Sequence, residues 1–180
     1  GISARVSEIP HRNAVRNDKG ERMIELQIPG RGIIELEYAV FDVNGTLAVD
    51  GQLIKGLEPL IAQLRGKLDV RLLTADTHGK QIEIDRQLKF TADRLKPGGY
   101  EREQKADYVR ALGAQRVVAL GNGANDVDML KVAALGIAVM GHEGAAFDLL
   151  SAADVGTHNI FDAIGLLLDP KRPIGTLRRV

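Results

Sequence analysis

Asp42 closes the apolar run Ala39-Val40-Phe41 and opens the stretch Asp42-Val43-Asn44-Gly45-Thr46-Leu47. An acidic side chain leaving the end of a strand, followed by a glycine that permits a sharp turn, can ligate a metal or attack phosphorus. A second apolar run ends in Leu72-Leu73-Thr74-Ala75-Asp76 and places a hydroxyl at the same edge, where it can hydrogen-bond a phosphoryl oxygen. Lys105 opens the helical pattern Lys105-Ala106-Asp107-Tyr108-Val109. A cation at a helix start opposes the macrodipole, so a nearby anion explains it better than helix propensity does. Further on, Gly121-Asn122-Gly123-Ala124-Asn125-Asp126-Val127-Asp128-Met129-Leu130 is a glycine loop with oxygen donors leading into a helix. Such a loop can present hard ligands to Mg²⁺.

These residues need a frame that brings strand ends together. Short apolar runs at Ala39–Phe41, Val70–Leu73, Arg116–Leu120 and Ile137–Met140 read as strands and alternate with helical patterns. Leu57, Leu60, Ile61 and Leu64 share one helical face, as do Val127, Leu130 and Ala134 after a cap expected at Asn125, and Gly113 and Gly136 fall where helices should stop. This alternation predicts an α/β fold with a mostly parallel sheet and ligands at the carboxyl ends of its strands. Two alternating runs around Pro29-Gly30-Arg31-Gly32 predict a hairpin over 23–37, and Asp50-Gly51 predicts a tight second hairpin able to act as a flap over the site. Residues 1–22 read as a leader or solvated tail, leaving 23–180 as a single domain with its core over 38–170.

Composition bounds the function. Among 180 residues, Lys plus Arg and Asp plus Glu number 24 each, so no global field draws the chain to nucleic acid or an anionic membrane. No apolar run approaches the ~18 residues of a membrane span. The absence of cysteine excludes thiolate metal sites and is compatible with a cytoplasmic location. His11, His78, His142 and His158 lack ligand spacing, which argues against zinc. The basic tail from Lys171 to Arg179 reads as a solvated terminus.

Taken together, Asp-x-x-Gly-Thr, a later Thr, a later Lys and Gly-x-Gly-x-Asn-Asp, in that order over residues 38 to 165, resemble the haloacid dehalogenase-like superfamily. More narrowly, Asp42-Val43-Asn44-Gly45-Thr46 and Gly121-Asn122-Gly123-Ala124-Asn125-Asp126 resemble the phosphorylation domain of P-type transport ATPases. The resemblance implies a three-layer Rossmann-like core and a Mg²⁺-dependent hydrolase in which Asp42 forms an aspartyl-phosphate. It assigns catalysis to Asp42, Asn44, Thr74 and Lys105, and phosphate binding to Thr74, Ala75, Lys105 and Asn125. The metal falls to Asp42, the Asn44 carbonyl, Asn122 and Asp126, with Asp128 or water as a compensating donor.

Two departures bear on activity. Phosphatases of this superfamily usually carry an acid at the position of Asn44, and the family commonly has a metal-binding Asp at that of Asn122. An amide exchanges no proton at neutral pH, and general acid-base catalysis contributes typically ~10²–10⁴-fold, so hydrolysis is expected to be slow. Only 27 residues separate Thr46 from Thr74 and 30 separate Thr74 from Lys105, too few for a cap domain. An uncapped site is open to bulky substrates or closed by a neighbouring subunit, and the substrate is expected to be a small-molecule or protein-borne phosphate. The free edge of the 23–37 hairpin either contacts another copy in a homo-oligomer or extends the chain's own sheet. A second reading stands beside the enzyme: a phosphate-binding or phosphoryl-accepting regulatory or accessory protein.

Overall fold

Strands buried on both faces leave no room for polar alternation, and the strongest apolar runs of the chain behave accordingly. The computed structural model describes residues 15–16 and 20–180. It begins with a three-stranded antiparallel sheet of β1 (Val15–Arg16), β2 (Arg22–Ile28) and β3 (Gly32–Leu36), with β2 in the middle. There follow β4 (Tyr38–Asp42), the short pair β5 (Ala48–Val49) and β6 (Gln52–Leu53), α1 (Leu57–Arg65) and β7 (Asp69–Thr74). The chain continues through α2 (Gln81–Leu88), β8 (Asp93–Arg94), α3 (Glu101–Leu112), β9 (Val117–Gly121), α4 (Val127–Val132) and β10 (Leu135–Val139). It finishes with α5 (Phe147–Ala152), β11 (Val155–Thr157), α6 (Ile160–Leu168) and α7 (Lys171–Leu177).

Six strands form one all-parallel sheet in the order β11-β10-β9-β4-β7-β8. Successive side chains of a strand point to opposite faces, and here both faces are covered. Ala39, Phe41, Leu72, Leu120 and Ile137 pack with Leu57, Ile61 and Leu64 of α1, Ile84 of α2 and Ile164 of α6. Val40, Leu73, Ala119 and Ala138 pack on the other side with Val109 of α3, Met129 and Leu130 of α4 and Leu149 of α5. The result is the expected three-layer α/β core. From β4 the chain steps to β7 on one side and later to β9 on the other, so a crevice opens at the carboxyl end of β4, where Asp42 stands.

The hairpin expected over 23–37 has a third strand, because Val15 pairs with Met23 and Arg16 with Arg22. It is a sheet of its own rather than an extension of the parallel one, and its inner residues Ile24, Leu26, Ile28 and Leu36 join the α1/α6 core layer. The rest of the tail over 1–14 and 17–19 lies outside the described residues. Gly136 ends no helix: α4 stops at Ala133, whose backbone is extended, and Gly136 sits inside β10. A Cβ there would stand 2.8 Å from the Leu130 carbonyl oxygen, so glycine serves close packing of helix on strand. Among the described residues, no helix is long and apolar enough to cross a membrane.

Candidate active site

After β4 the backbone folds tightly. The Val43 carbonyl accepts from the N–H groups of Thr46, Leu47 and Ala48 at 3.2, 2.9 and 3.0 Å, while Gly45 N–H donates to the Ala48 carbonyl at 2.7 Å. Gly45 has φ +82°, and a Cβ on it would lie 2.4 Å from Asn122 Nδ2, so both backbone and space demand glycine. This turn returns Thr46 beneath the strand end, where its hydroxyl meets Asp42 Oδ2 at 3.1 Å and Asn122 Oδ1 at 3.2 Å.

Lys105 lies in the second turn of α3 rather than at its start, facing the sheet at 2% exposure. Its counter-anion is nevertheless present, as a pair: Nζ donates to Asp42 Oδ1 at 2.8 Å and to Asp126 Oδ1 at 2.7 Å. Asp126 is fully buried, and its Oδ2 accepts from the backbone N–H groups of Asn122 and Gly123 at 3.1 and 3.0 Å. It thereby caps the turn before α4, the part expected of Asn125. Two carboxylates and one ammonium leave an unbalanced negative charge out of water. Burial, and then the charge on Asp126, push the Asp42 carboxyl up to about 7, partly offset by Lys105 and Thr46. Burial works against the ammonium of Lys105, but the attraction of both carboxylates outweighs it and raises its pKa.

Thr74 ends β7, buried, with its hydroxyl accepting from Asp76 N–H at 2.8 Å. Asn44 Nδ2 reaches the hydroxyls of Thr74 and Thr77, both at 3.4 Å. The structure thus gathers Asp42, Asn44, Thr74, Lys105, Asn122 and Asp126 at one sheet edge. Ala75 begins the loop after β7, and the Asn125 amide is engaged at 2.8 Å by Glu101 at the start of α3. Asp128 faces away, paired through both oxygens with Arg102 at 2.7 and 2.8 Å, so it does not make up for Asn122.

The donor set suits a hard cation. Among the described residues, no three carboxylate or imidazole side chains converge to hold a metal alone. Asp42 Oδ2 and Asn122 Oδ1 nevertheless stand on either side of one hydroxyl, and the buried network holds two carboxylates against the single ammonium of Lys105. Oxygen donors with a net negative charge fit Mg²⁺. Both oxygens of Asp126 are occupied, by Lys105 and by backbone N–H groups, which makes it an anchor for Lys105 as well as a charge facing the site.

Above the site, β5 and β6 turn through Asp50 and Gly51 at φ 50° and 74°, the left-handed pair of a type I′ hairpin. Asp50 N–H donates to Glu143 Oε1 at 3.2 Å, and a Cβ on Gly51 would meet His78 Cβ at 2.9 Å. The flap therefore rests between the loops bearing His78 and Glu143. The stretch from β7 to α3 holds only α2 and β8, with no cap. Thr46, Thr77 and Glu143 were not among the expected site residues. Thr46 was legible as the end of the Asp-x-x-Gly-Thr motif, whereas Thr77 and Glu143 carry no local signal beyond following strands of the same sheet.

No family model matches the chain. Over 64 residues it is 42% identical to an uncharacterized protein of Methanocaldococcus jannaschii, covering 36% of this chain and 69% of that one. Over 143 residues it is 30% identical to the probable copper-importing P-type ATPase A of Enterococcus hirae, covering 77% of this chain and 19% of the ATPase. The chain thus spans about a fifth of that relative's length. Among solved structures it is similar to a HAD superfamily (subfamily III A) hydrolase of Legionella pneumophila, with TM-score 0.57, 19% identity and coverage of 79% and 87%. Cobalt-bound deoxy-D-mannose-octulosonate 8-phosphate phosphatase of Haemophilus influenzae matches with TM-score 0.60, 14% identity and coverage of 79% and 91%. The 3-deoxy-D-manno-octulosonate 8-phosphate phosphatase of Moraxella catarrhalis, in complex with magnesium, phosphate and KDO, matches with TM-score 0.56, 15% identity and coverage of 79% and 89%. At these identities the likeness establishes the fold.

Proposed function

Because this chain belongs to one family with the Methanocaldococcus jannaschii protein, has the haloacid dehalogenase-like fold and is similar in sequence to a P-type ATPase, we propose that it is a Mg²⁺-dependent phosphohydrolase acting through Asp42. One observation carries the reading: a buried carboxylate at the carboxyl end of the central strand, held on one oxygen by Lys105 and on the other by Thr46.

In this mechanism the Asp42 carboxylate attacks phosphorus. A P–O bond to Asp42 forms as the bond to the leaving oxygen breaks, and the electron pair departs with that oxygen. Water then attacks the aspartyl-phosphate, restoring the carboxylate and releasing phosphate. Lys105, held firmly charged, and the Thr74 hydroxyl hold phosphoryl oxygens, since phosphoryl transfer depends mainly on position and charge. Mg²⁺ bound by Asp42, the Asn44 carbonyl and Asn122 would balance the carboxylate that the single ammonium of Lys105 leaves over. Asn44 lends the leaving group no proton, so turnover favours substrates whose leaving oxygen is already acidic. With no cap between β7 and α3, the substrate class is a small-molecule or protein-borne phosphate.

A second reading is favoured by one feature: the Asn44 amide lies between Thr74 and Thr77, where it can steady a phosphorylated Asp42 without activating water. The protein would then accept or bind phosphoryl groups as a regulatory module. Mg²⁺-dependent release of p-nitrophenol from p-nitrophenyl phosphate tests the hydrolase, because this leaving group needs little protonation. Release abolished by EDTA and by Asp42→Ala is expected. No release at millimolar Mg²⁺ would sink the hydrolase and leave the phosphoryl-accepting module.

A further inference from the structure

We propose, building on the phosphohydrolase reading, that Glu143 supplies toward the divalent cation the negative charge that the amide at position 122 withholds. Asn122 is engaged otherwise. Its Oδ1 accepts from Thr46 at 3.2 Å, and its Nδ2 donates to the Gly144 carbonyl at 3.2 Å. Its backbone carbonyl accepts from Ala146 N–H at 2.9 Å. Residue 122 therefore pins the loop between β10 and α5 from both side chain and main chain. A carboxylate in its place would turn an oxygen toward the Gly144 carbonyl, where two acceptors repel. The amide forgoes a charge and fixes a loop.

That loop carries the replacement. Gly144 N–H donates to the Gly141 carbonyl at 3.0 Å, and Gly144 itself has φ +73°, closing a tight turn that presents Glu143. Glu143 Oε1 accepts from Asp50 N–H of the flap. Its other oxygen points inward: a Cβ built on Gly45 would lie 2.7 Å from Glu143 Oε2 and 2.4 Å from Asn122 Nδ2. The amide and the carboxylate thus converge on the same side of Gly45, the residue that follows Asn44 of the donor set. From there the carboxylate acts on the cation directly or through one water. The same contact ties the flap to the charge state of the site, since one side chain serves both.

Electron paramagnetic resonance of free Mn²⁺, titrated with the full chain, tests this without turnover. Glu143→Gln keeps an oxygen acceptor for the Asp50 N–H while removing the charge. It is expected to weaken Mn²⁺ binding about 10-fold or more, the scale on which outer-shell partners act on metal affinity. Asn122→Asp added to Glu143→Gln is expected to recover part of the loss. Unchanged binding in Glu143→Gln, with binding lost in Asp42→Ala, would overturn the role of Glu143 and leave the phosphohydrolase intact. A wild-type chain that binds no Mn²⁺ would overturn both. Because Glu143 is exposed, its substitution leaves the core untouched, and matched thermal unfolding curves verify this.

Discussion

The floor and the rim of this site are built in opposite ways. The floor, Asp42, Lys105 and Asp126, consists wholly of charged groups, each at 5% exposure or less and each held by short contacts. The rim, Asn44 and Asn122, is half-buried and neutral, with contacts of 3.2 to 3.4 Å. A charge removed from water must have fixed partners, and removing one leaves the others stranded. Amides at a half-exposed rim keep the shape of the site without that demand. Under the proposed function this difference would separate tasks: the floor would hold the phosphoryl group, Asp42 would share the cation with the rim amides, and the rim would set how fast the phosphoryl group is released.

On that division, the largest effect comes from placing a carboxyl at the rim. Asn44→Asp is expected to raise kcat by about 10²–10⁴-fold on a phosphate monoester with a poor leaving group, and much less on p-nitrophenyl phosphate. Equal gains on both substrates would show that proton delivery is not what the rim limits. A smaller but more general effect comes from the floor. Lys105→Met leaves two buried carboxylates without their ammonium, and urea denaturation at pH 8 is expected to show a loss of about 3–5 kcal/mol. Asn122→Ala, at the rim, removes neutral hydrogen bonds that contribute only about 0.5–1.5 kcal/mol each. Similar losses for the two variants would erase the distinction between floor and rim.

How much of this was legible beforehand follows the same division. Asp42 and Thr74 were visible because the buried carboxyl-terminal halves of β4 and β7, Ala39-Val40-Phe41 and Leu72-Leu73, are apolar up to the residue at which each strand ends. The depth of Lys105 was not: it shares the buried face of α3 with Ala106 and Val109, and a lysine on a helix reads as solvated surface until the opposing carboxylates are placed. Strand β8 has two exposed residues, Asp93 and Arg94, and so no apolar signal. Gly136 looked like a helix stop because glycine serves both chain reversal and close packing, and only the approach of the Leu130 carbonyl decides between them. Glu143 was invisible for a further reason: its position depends on Asn122 holding a loop 22 residues away in sequence, between Nδ2 and Gly144.

The finest test of the floor is its proton. In the metal-free protein, Asp42 has its pKa raised from 3.8 to about 7 by burial and by Asp126. A carboxyl whose folded pKa lies above its unfolded value contributes stability that is fully present below the unfolded pKa and is lost as pH rises through the folded one. With EDTA present, Tm is therefore expected to fall as pH rises from about 4 to about 7, with the folded state holding up to one more proton than the unfolded chain. Asp42→Asn should flatten that part of the profile, because an amide has no proton to lose. Asn44→Asp should leave it in place, since the rim is half-exposed and its new carboxylate can stay hydrated. A profile unchanged by Asp42→Asn would mean that the floor already meets its charge through Lys105 alone, and the contrast with the rim would then rest on geometry and not on an unpaired charge.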